Sequence, residues 1–473
     1  MIQTGGAALP RARSLVRLRD RIALLRTEVA VGSVDLARLG LIGLALALQT
    51  VVLQSPGHFR PAGTWYFAVL VAGGTFTALA LSLAAALPRW AFPVPLRRTL
   101  GVIALASLIV LSVIGGWKAT SGVGAMLQSA PPSNDGAVMD YYAARQFLRG
   151  HNPYIKTNLV LALASINAPA TTTTPLMEGQ FRGARTYPSP AAVQSVFYYT
   201  IIHSRPHFIP PEFESKYNYP AGSFLFILPL VWAGISDMRF LYALALVAMG
   251  LYMSRRMPRS LRPLTPLLIL ANVPLIVLTA GGQPDPLYGL FLMIGYAEWA
   301  TPWISPTFIG IAAGTKQIAW FFVPFYLLLI WKEFGAREAI RRFGILCTVF
   351  AVMNAPFFVQ SPRSYISSLA GPMSDPMFPL GIGVIALFVS HVLPTLPKVA
   401  FTVMEGTSWL AGTVAARYHR VLLGGGTAAL AALPLFFAWR SLVNYFYLVP
   451  LLALAITLAE PAQRRSLLRR RGR

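Results

Sequence analysis

Two aspartates, Asp135 and Asp140, head the stretch of this chain richest in groups able to do chemistry. It runs from Asn134-Asp135-Gly136 through Asp140-Tyr141-Tyr142 and Arg145 to Gly150-His151-Asn152-Pro153-Tyr154. A positioned carboxylate can take a proton from an attacking hydroxyl as general base. Val138, Tyr141, Tyr142, Phe147 and Leu148 recur at the spacing of a short amphipathic helix that begins near Gly136. Asn134 or Asp135 can cap that helix, and Gly150 with Pro153 can end it. A surface helix with a capping aspartate is the plainer reading of the same residues. Further polar islands lie downstream at Lys216-Tyr217-Asn218-Tyr219-Pro220, Gln283-Pro284-Asp285 and Lys316-Gln317, with Arg363 after Ser361-Pro362 and Arg440 in Trp439-Arg440-Ser441-Leu442. Tyrosines at a water–lipid boundary and a proline at a helix start are ordinary, so the first of these islands says little alone. Lys316 says more. It falls near the middle of an apolar block, 303–331, and reaches water only if that helix is broken, in which case an anionic phosphate is its natural partner. Carboxylates, cations and aromatic rings together suit a reaction in which a hydroxyl attacks and a phosphate leaves; aromatic faces suit sugar rings.

The elements that must position these groups are set by composition. The chain has 473 residues, 55% hydrophobic and only 12% charged, with a mean hydropathy of +0.58. A soluble chain carries roughly a quarter charged residues. The apolar residues arrive in blocks of spanning length, among them 65–88, 99–116, 263–280, 343–360 and 421–439. In lipid each backbone polar group must be satisfied within the segment, so such blocks are helices. An all-α polytopic membrane protein follows. The formal charge of +24 comes from arginines placed between the blocks and at both ends, such as Arg255 with Arg256 and Arg464 with Arg465. That is the positive-inside pattern, which touches anionic membrane lipids and does not point to nucleic acid. The one cysteine, Cys347, sits inside an apolar block and offers no disulfide framework.

The expected organisation is a basic cytoplasmic segment over 1–35, three spans within 36–116, a long extracytoplasmic stretch over 117–219, further transmembrane and re-entrant helices over 220–459, and a basic cytoplasmic tail over 460–473. The first span lacks a small-residue cleavage site and reads as an uncleaved anchor. The stretch 117–219 far exceeds ordinary connections of about 4–6 residues, and loops of that length are usually functional. Counting every later block as a crossing would put Arg255, Arg256, Arg259 and Arg262 outside. The conflict disappears if 220–235 and 380–393 are re-entrant or lie along the outer membrane face, and 303–331 is a pair of half-helices broken at Gly314-Thr315-Lys316-Gln317. About ten or eleven crossings remain, with both termini inside.

Transporters place ionisable residues at mid-bilayer depth, whereas here the polar groups gather at outer helix ends and in the long loop. The ordered set resembles a family. Asp135 with Tyr141-Tyr142-Ala143-Ala144 and Gly150-His151-Asn152-Pro153-Tyr154 is similar to the first outer loop of GT-C glycosyltransferases, within them the bacterial polyprenyl-phosphate-mannose-dependent α-mannosyltransferase group and its uncharacterised relatives. Tyr217-Asn218-Tyr219-Pro220, Gln283-Pro284-Asp285, Gly314-Thr315-Lys316-Gln317 and Trp439-Arg440-Ser441-Leu442 follow in the same order, so the likeness covers about residues 100–455. Pro284 departs from it, since relatives often carry an Asn-Asp pair where Asp285 stands.

The resemblance implies a GT-C-like bundle of about 10–13 transmembrane or re-entrant helices with a long first outer loop carrying short interfacial helices. It implies a polyprenyl-phosphate sugar donor, a lipid or glycan acceptor, and inverting transfer at the outer face of the inner (plasma) membrane. An outer-loop aspartate is the base, by match Asp135 first and Asp140 second. Lys316, Arg363 and Arg440 would hold the donor phosphate. Tyr141, Tyr142, Arg145, His151, Asn152, Tyr154, Tyr217, Tyr219, Gln283, Asp285 and Gln317 would contact substrate. No cofactor is implied, and no His/Asp cluster asks for an obligatory metal. The rival expectation is a secondary transporter or flippase of lipid-linked sugars; a polymerase or ligase acting on lipid-linked glycan is a third.

Overall fold

The computed structural model describes residues 35–54, 65–87, 93–184, 186–203 and 210–471. The basic segment expected over 1–35 lies almost wholly outside them. Three long apolar helices come first, α1 (Asp35–Gln54), α2 (Trp65–Ala85) and α3 (Val94–Leu127). Short helices follow: α4 (Asp135–Leu148), α5 (Pro153–Lys156), α6 (Leu159–Ser165), α7 (Pro190–His203), α8 (Gly222–Leu225) and α9 (Leu228–Trp232). The chain then re-enters a bundle through α10 (Arg239–Arg256), α11 (Thr265–Ala271), α12 (Val273–Gly281), α13 (Asp285–Ala297), α14 (Ile304–Thr315), α15 (Val323–Phe334) and α16 (Ala336–Gln360). It finishes with α17 (Pro362–Ser374), strand β1 (Leu380–Gly381), α18 (Ile385–Val389), α19 (Lys398–Tyr418), α20 (Gly426–Phe436), strand β2 (Arg440–Ser441) and α21 (Val449–Arg471).

Six helical stretches among the described residues are long and apolar enough to cross a membrane: α1, α2, α3, Gln317–Phe334, α16 and Val443–Arg464. The pair α11–α12, bent by 61°, makes a seventh if taken as one broken span. This is fewer than the ten or eleven crossings expected. Helices α13 and α14, with 13 and 12 residues, extend only about 18–20 Å at 1.5 Å per residue. The bundle is nonetheless suited to lipid. Val102, Val113, Val352, Val359, Val399 and Leu410 are exposed along α3, α16 and α19, and apolar exposure on this scale suits contact with lipid.

Several local features follow directly from sequence. The block 303–331 does break at Thr315–Lys316, where a 3-10 turn (Gln317–Phe322) separates α14 from α15. The blocks 220–235 and 380–393 form only short pieces, α8 with α9 and β1 with α18. Helix α3, by contrast, runs on to Leu127, past the expected end at 116. The Thr120 and Ser121 hydroxyls, which read as loop polarity, both donate back to the Trp117 carbonyl at 2.9 Å. The bend between α11 and α12 is held by Asn272, whose Oδ1 accepts from Leu275 N–H at 3.2 Å while its Nδ2 donates to the Tyr447 carbonyl at 2.7 Å.

Among the described residues two large cores stand beside a small cluster of Ile385, Phe388 and Phe401. The bundle core joins α3 to α11 and α12, α13 to α10, α14 and α21, and α20 to α2, α19 and α21. The second core belongs to the loop region, where Ala143, Leu163, Phe197, Phe213, Tyr217 and Phe224 are buried together with Phe357 of α16. This region is a packed cap, knit internally by a bridge at Pro175–Phe213 and tied to the later chain by one at Leu176–Met377. Three arginine ion pairs mark the far end of the bundle. Arg256 pairs with Glu298, Arg342 with Glu338, and Arg420 with Glu333, each at the helix end remote from the cap.

Candidate functional site

Islands far apart in sequence meet where the cap sits on the bundle. Asn134 caps α4, its Oδ1 accepting from Gly136 N–H at 2.8 Å. Its own N–H donates to the Gly281 carbonyl at 3.0 Å, which docks the start of α4 against the α12–α13 junction. Gly282 takes the left-handed conformation there, φ 105°, and a methyl group on it would lie 2.9 Å from that of Ala137, so glycine is required twice over. Gly136 packs as tightly, with room for no Cβ against Pro284. Asp135 is thereby fixed in the first turn of α4.

Asp135 lines a cavity of about 690 Å³ that also takes in Tyr219, Gln283, Lys316, Gln317 and Arg440. The Thr174 hydroxyl lies 3.5 Å from Asp135 Oδ2. Burial pushes the Asp135 carboxyl above its ordinary value, while the nearby charges of Arg440 and Lys316 pull it partly back. Arg440 is placed by the two-residue parallel ladder of β1 and β2, which pairs Leu380 with Arg440 and Gly381 with Ser441. Gly381, at φ 144°, leaves no space for a Cβ against the Ser441 carbonyl. The 380–393 segment, through β1, thus holds Arg440 in place. Lys316 ends α14 with its ammonium against Asp285 Oδ1, a buried ion pair, and 5.1 Å from the centre of the Tyr219 ring. The Tyr447 hydroxyl donates to Asp285 Oδ2 at 2.6 Å.

Three buried polar atoms on residues lining the cavity have no protein partner: Asn218 Oδ1, Gln283 Oε1 and Arg440 Nη1. Each such atom costs about 1–3 kcal/mol if left unmade, and their concentration around one cavity marks it as built for a polar ligand. The other wall is apolar, with Leu53, Leu278, Ile318, Phe321, Trp409 and Leu435 drawn from bundle helices and the 317–322 turn. The cavity therefore has a polar end under the cap and an apolar end among the membrane-length helices. Among the described residues no group of three His, Cys, Asp or Glu side chains is arranged to hold a metal ion.

Other residues expected at the site stand elsewhere. Asp140 is fully buried and does not line the cavity. It accepts from the Tyr217, Ser223 and Tyr242 hydroxyls at 2.9, 2.7 and 2.7 Å, and burial pushes it up to about 6 against those three bonds. A carboxylate so enclosed is a structural knot joining α4, the 217–223 segment and α10. Arg363 is exposed in the first turn of α17 and does not line the cavity. Asp285 lies behind Lys316. The Arg145 guanidinium stacks 5.6 Å from the Tyr141 ring centre, and His151 Nδ1 lies 3.0 Å from Gln146 Oε1. Asn152 caps α5 and donates to the Phe357 carbonyl at 3.3 Å, while the Tyr154 hydroxyl donates to the Tyr219 carbonyl at 2.8 Å. These residues, with Tyr142 and Tyr217, build the cap and do not line the cavity. Sequence reasoning passed over Thr174, Glu214, Lys398 and Glu405, all of which do line it. Glu405 and Lys398 carried a readable signal, since ionisable residues in or beside an apolar block are expensive in lipid. Comparison with family models, curated proteins and solved structures finds no match to this chain.

Proposed function

We propose that this protein is a membrane glycosyltransferase, taking a sugar from a polyprenyl-phosphate donor and passing it to a hydroxyl of a lipid or glycan acceptor on the cap side of the membrane. One observation carries the reading: a single cavity brings the Asp135 carboxyl together with Lys316, Arg440 and a long apolar wall, with Glu214, Lys398 and Glu405 also on its lining. An amphiphile with a phosphate between a sugar and a hydrocarbon chain matches that order of surfaces. Asp135, in the first turn of the docked helix α4, accepts the proton of the incoming hydroxyl. As that oxygen bonds to the anomeric carbon, the bond from the carbon to the phosphate oxygen breaks on the opposite face, inverting the centre. The proton ends on Asp135 and the electron pair on the departing polyprenyl phosphate.

The two cations that act on Asp135 are not equivalent. Lys316 is already paired with Asp285 and contributes mainly field, whereas Arg440 has an unpartnered Nη1 and is the group that binds the phosphate directly. Leaving as a phosphate requires no protonation at neutral pH, so one base and one cation suffice. The arginines at the far end of the bundle favour an orientation with that end cytoplasmic and the cap extracytoplasmic, where nucleotide sugars are absent and a lipid-borne donor is the available one.

The test uses full-length protein in lipid vesicles with a panel of radiolabelled polyprenyl-phosphate hexoses and pentoses. A new glycosidic bond made by wild type and lost in Asp135→Asn is the expected result. Movement of the labelled lipid between leaflets without bond formation would instead establish a flippase.

A further inference from the structure

Lys398 takes no part in the chemistry described so far, yet it lines the same cavity as Arg440. It is the first residue of α19, and its Nζ donates to the Asp375 main-chain carbonyl at 2.9 Å. That bond anchors the ammonium and leaves its other N–H groups for a ligand. The strand that carries Arg440 is tied to the same helix. Trp439 Nε1 donates to the Met377 carbonyl at 2.8 Å, and the Trp439 ring packs 5.3 Å from that of Phe401, one turn into α19. Lys398 and Arg440 are thereby set in one another's field. The first turn of α19 has no capping side chain, so its free amides add to the positive potential.

Among the described residues neither cation is ion-paired with a carboxylate. Asp375 pairs through Oδ1 with Lys216 Nζ at 3.4 Å, although its charge also reaches Lys398. Asp135 feels Arg440 across the cavity. Glu405 lies two turns further along α19, about 10 Å from Lys398 at 1.5 Å per residue. Lys316 has Asp285. Arg440 keeps a buried Nη1 without a partner. Two like charges held this way repel, and an anion placed between them removes that cost.

Resting on the transferase reading, we propose that Lys398 meets the charge that develops on the departing phosphate, and that the site holds the spent carrier, a polyprenyl phosphate monoester, more tightly than a phosphodiester. The donor is a diester with one negative charge. When its bond to the anomeric carbon breaks, the electron pair stays on the phosphate oxygen, giving a monoester of about −1.5 to −2 at pH 7. In the same step Asp135 gains the proton and loses its charge. The charges acting on Asp135 are Arg440 and Lys316; those acting on Lys398 are Asp375 and Arg440. Arg440 therefore feels both the loss at the base and the gain at the phosphate, whereas Lys398 feels only the gain. An interaction that grows toward the transition state speeds the step. Arg440 seats the donor; Lys398 sets the transfer rate and the retention of the spent carrier.

The experiment measures binding and single-turnover transfer in full-length protein reconstituted in vesicles. Radiolabelled polyprenyl phosphate is competed, without acceptor, by the unlabelled monoester, by its methyl diester and by inorganic phosphate. Wild type binds the monoester about tenfold more tightly than the diester, and inorganic phosphate at the same concentration displaces neither lipid. Lys398→Gln keeps an N–H for the Asp375 carbonyl but has no charge. It brings the two lipids within about threefold of each other, slows single-turnover transfer about tenfold and leaves donor KM within about threefold. Lys398→Arg restores both the preference and the rate. Equal binding of the two lipids by wild type, displacement by inorganic phosphate as strong as by the lipid, or a Lys398→Gln effect confined to donor KM overturns the proposal while leaving the transferase intact. A monoester preference that depends on Lys398 in a protein that makes no glycosidic bond keeps the phosphate site and sinks the transferase. Thermal unfolding of both variants separates these outcomes from misfolding, and the wild-type comparison of the two lipids stands without either.

Discussion

The first and second turns of α4 hold the same residue type in opposite surroundings. Asp140 accepts three hydroxyls, is closed off from the cavity and has nothing left to offer a ligand. Asp135 faces the cavity with one long bond from Thr174 and two cations acting across open space. A satisfied buried carboxylate holds elements together; an under-satisfied one beside a cavity is available for proton transfer. The same contrast separates Lys316, locked to Asp285, from Arg440, whose Nη1 is free of protein partners.

Substitutions can break or sharpen this contrast, and the largest effect belongs to Asp135. Replacing it with asparagine lowers transfer by about 10²–10⁴-fold without changing the melting temperature, as measured by single-turnover transfer and thermal unfolding of one preparation. In wild type the rate rises with pH along a limb lying above the ordinary carboxylate range, because Asp135 must lose its proton to act and burial holds that proton on. Next is Lys316→Met, which strands a buried carboxylate and costs about 3–5 kcal/mol of stability. Adding Asp285→Leu in the same chain recovers most of it, and chemical denaturation of the single and double variants reads the difference. Asp140→Ala leaves three hydroxyls seeking partners and costs about 1–3 kcal/mol; the activity of the fraction that remains folded stays near wild type. Arg440→Gln raises donor KM about tenfold at unchanged acceptor KM.

The smallest effect is on stability at alkaline pH. Glu214 has a folded value raised above its unfolded one, so its contribution is present below the unfolded value and is lost as pH rises through about 8. Glu214→Gln has no proton to lose there, and at pH 9 it melts about 2 °C higher than wild type.

The membrane class and the break at Thr315–Lys316 were legible because lipid permits few solutions: an apolar block is a helix, and a lysine within it demands a way out. The Asn134 cap and the ending of α4 before Gly150, at φ 77°, were legible because both depend on neighbours in sequence. The grouping of Asp135, Gln283, Lys316 and Arg440 around one cavity was visible only as an ordered series of weak islands. Three features were hidden for one reason. The hydroxyls that close around Asp140 come from Tyr217, Ser223 and Tyr242, the partner of Glu214 is Asp375, and the ladder that holds Arg440 starts at Leu380. Each is a long-range pairing, and no local spacing encodes it. The extension of α3 to Leu127 failed differently. Polar residues read as loop were satisfying their own helix.

Donor binding and turnover measured on the same Asp135→Asn preparation test the central claim most directly, with Asp140→Asn alongside. The account predicts that Asp135→Asn binds a polyprenyl-phosphate sugar with wild-type affinity and transfers none of it, whereas Asp140→Asn loses both in proportion to the protein it fails to fold. Wild-type turnover by Asp135→Asn would contradict it.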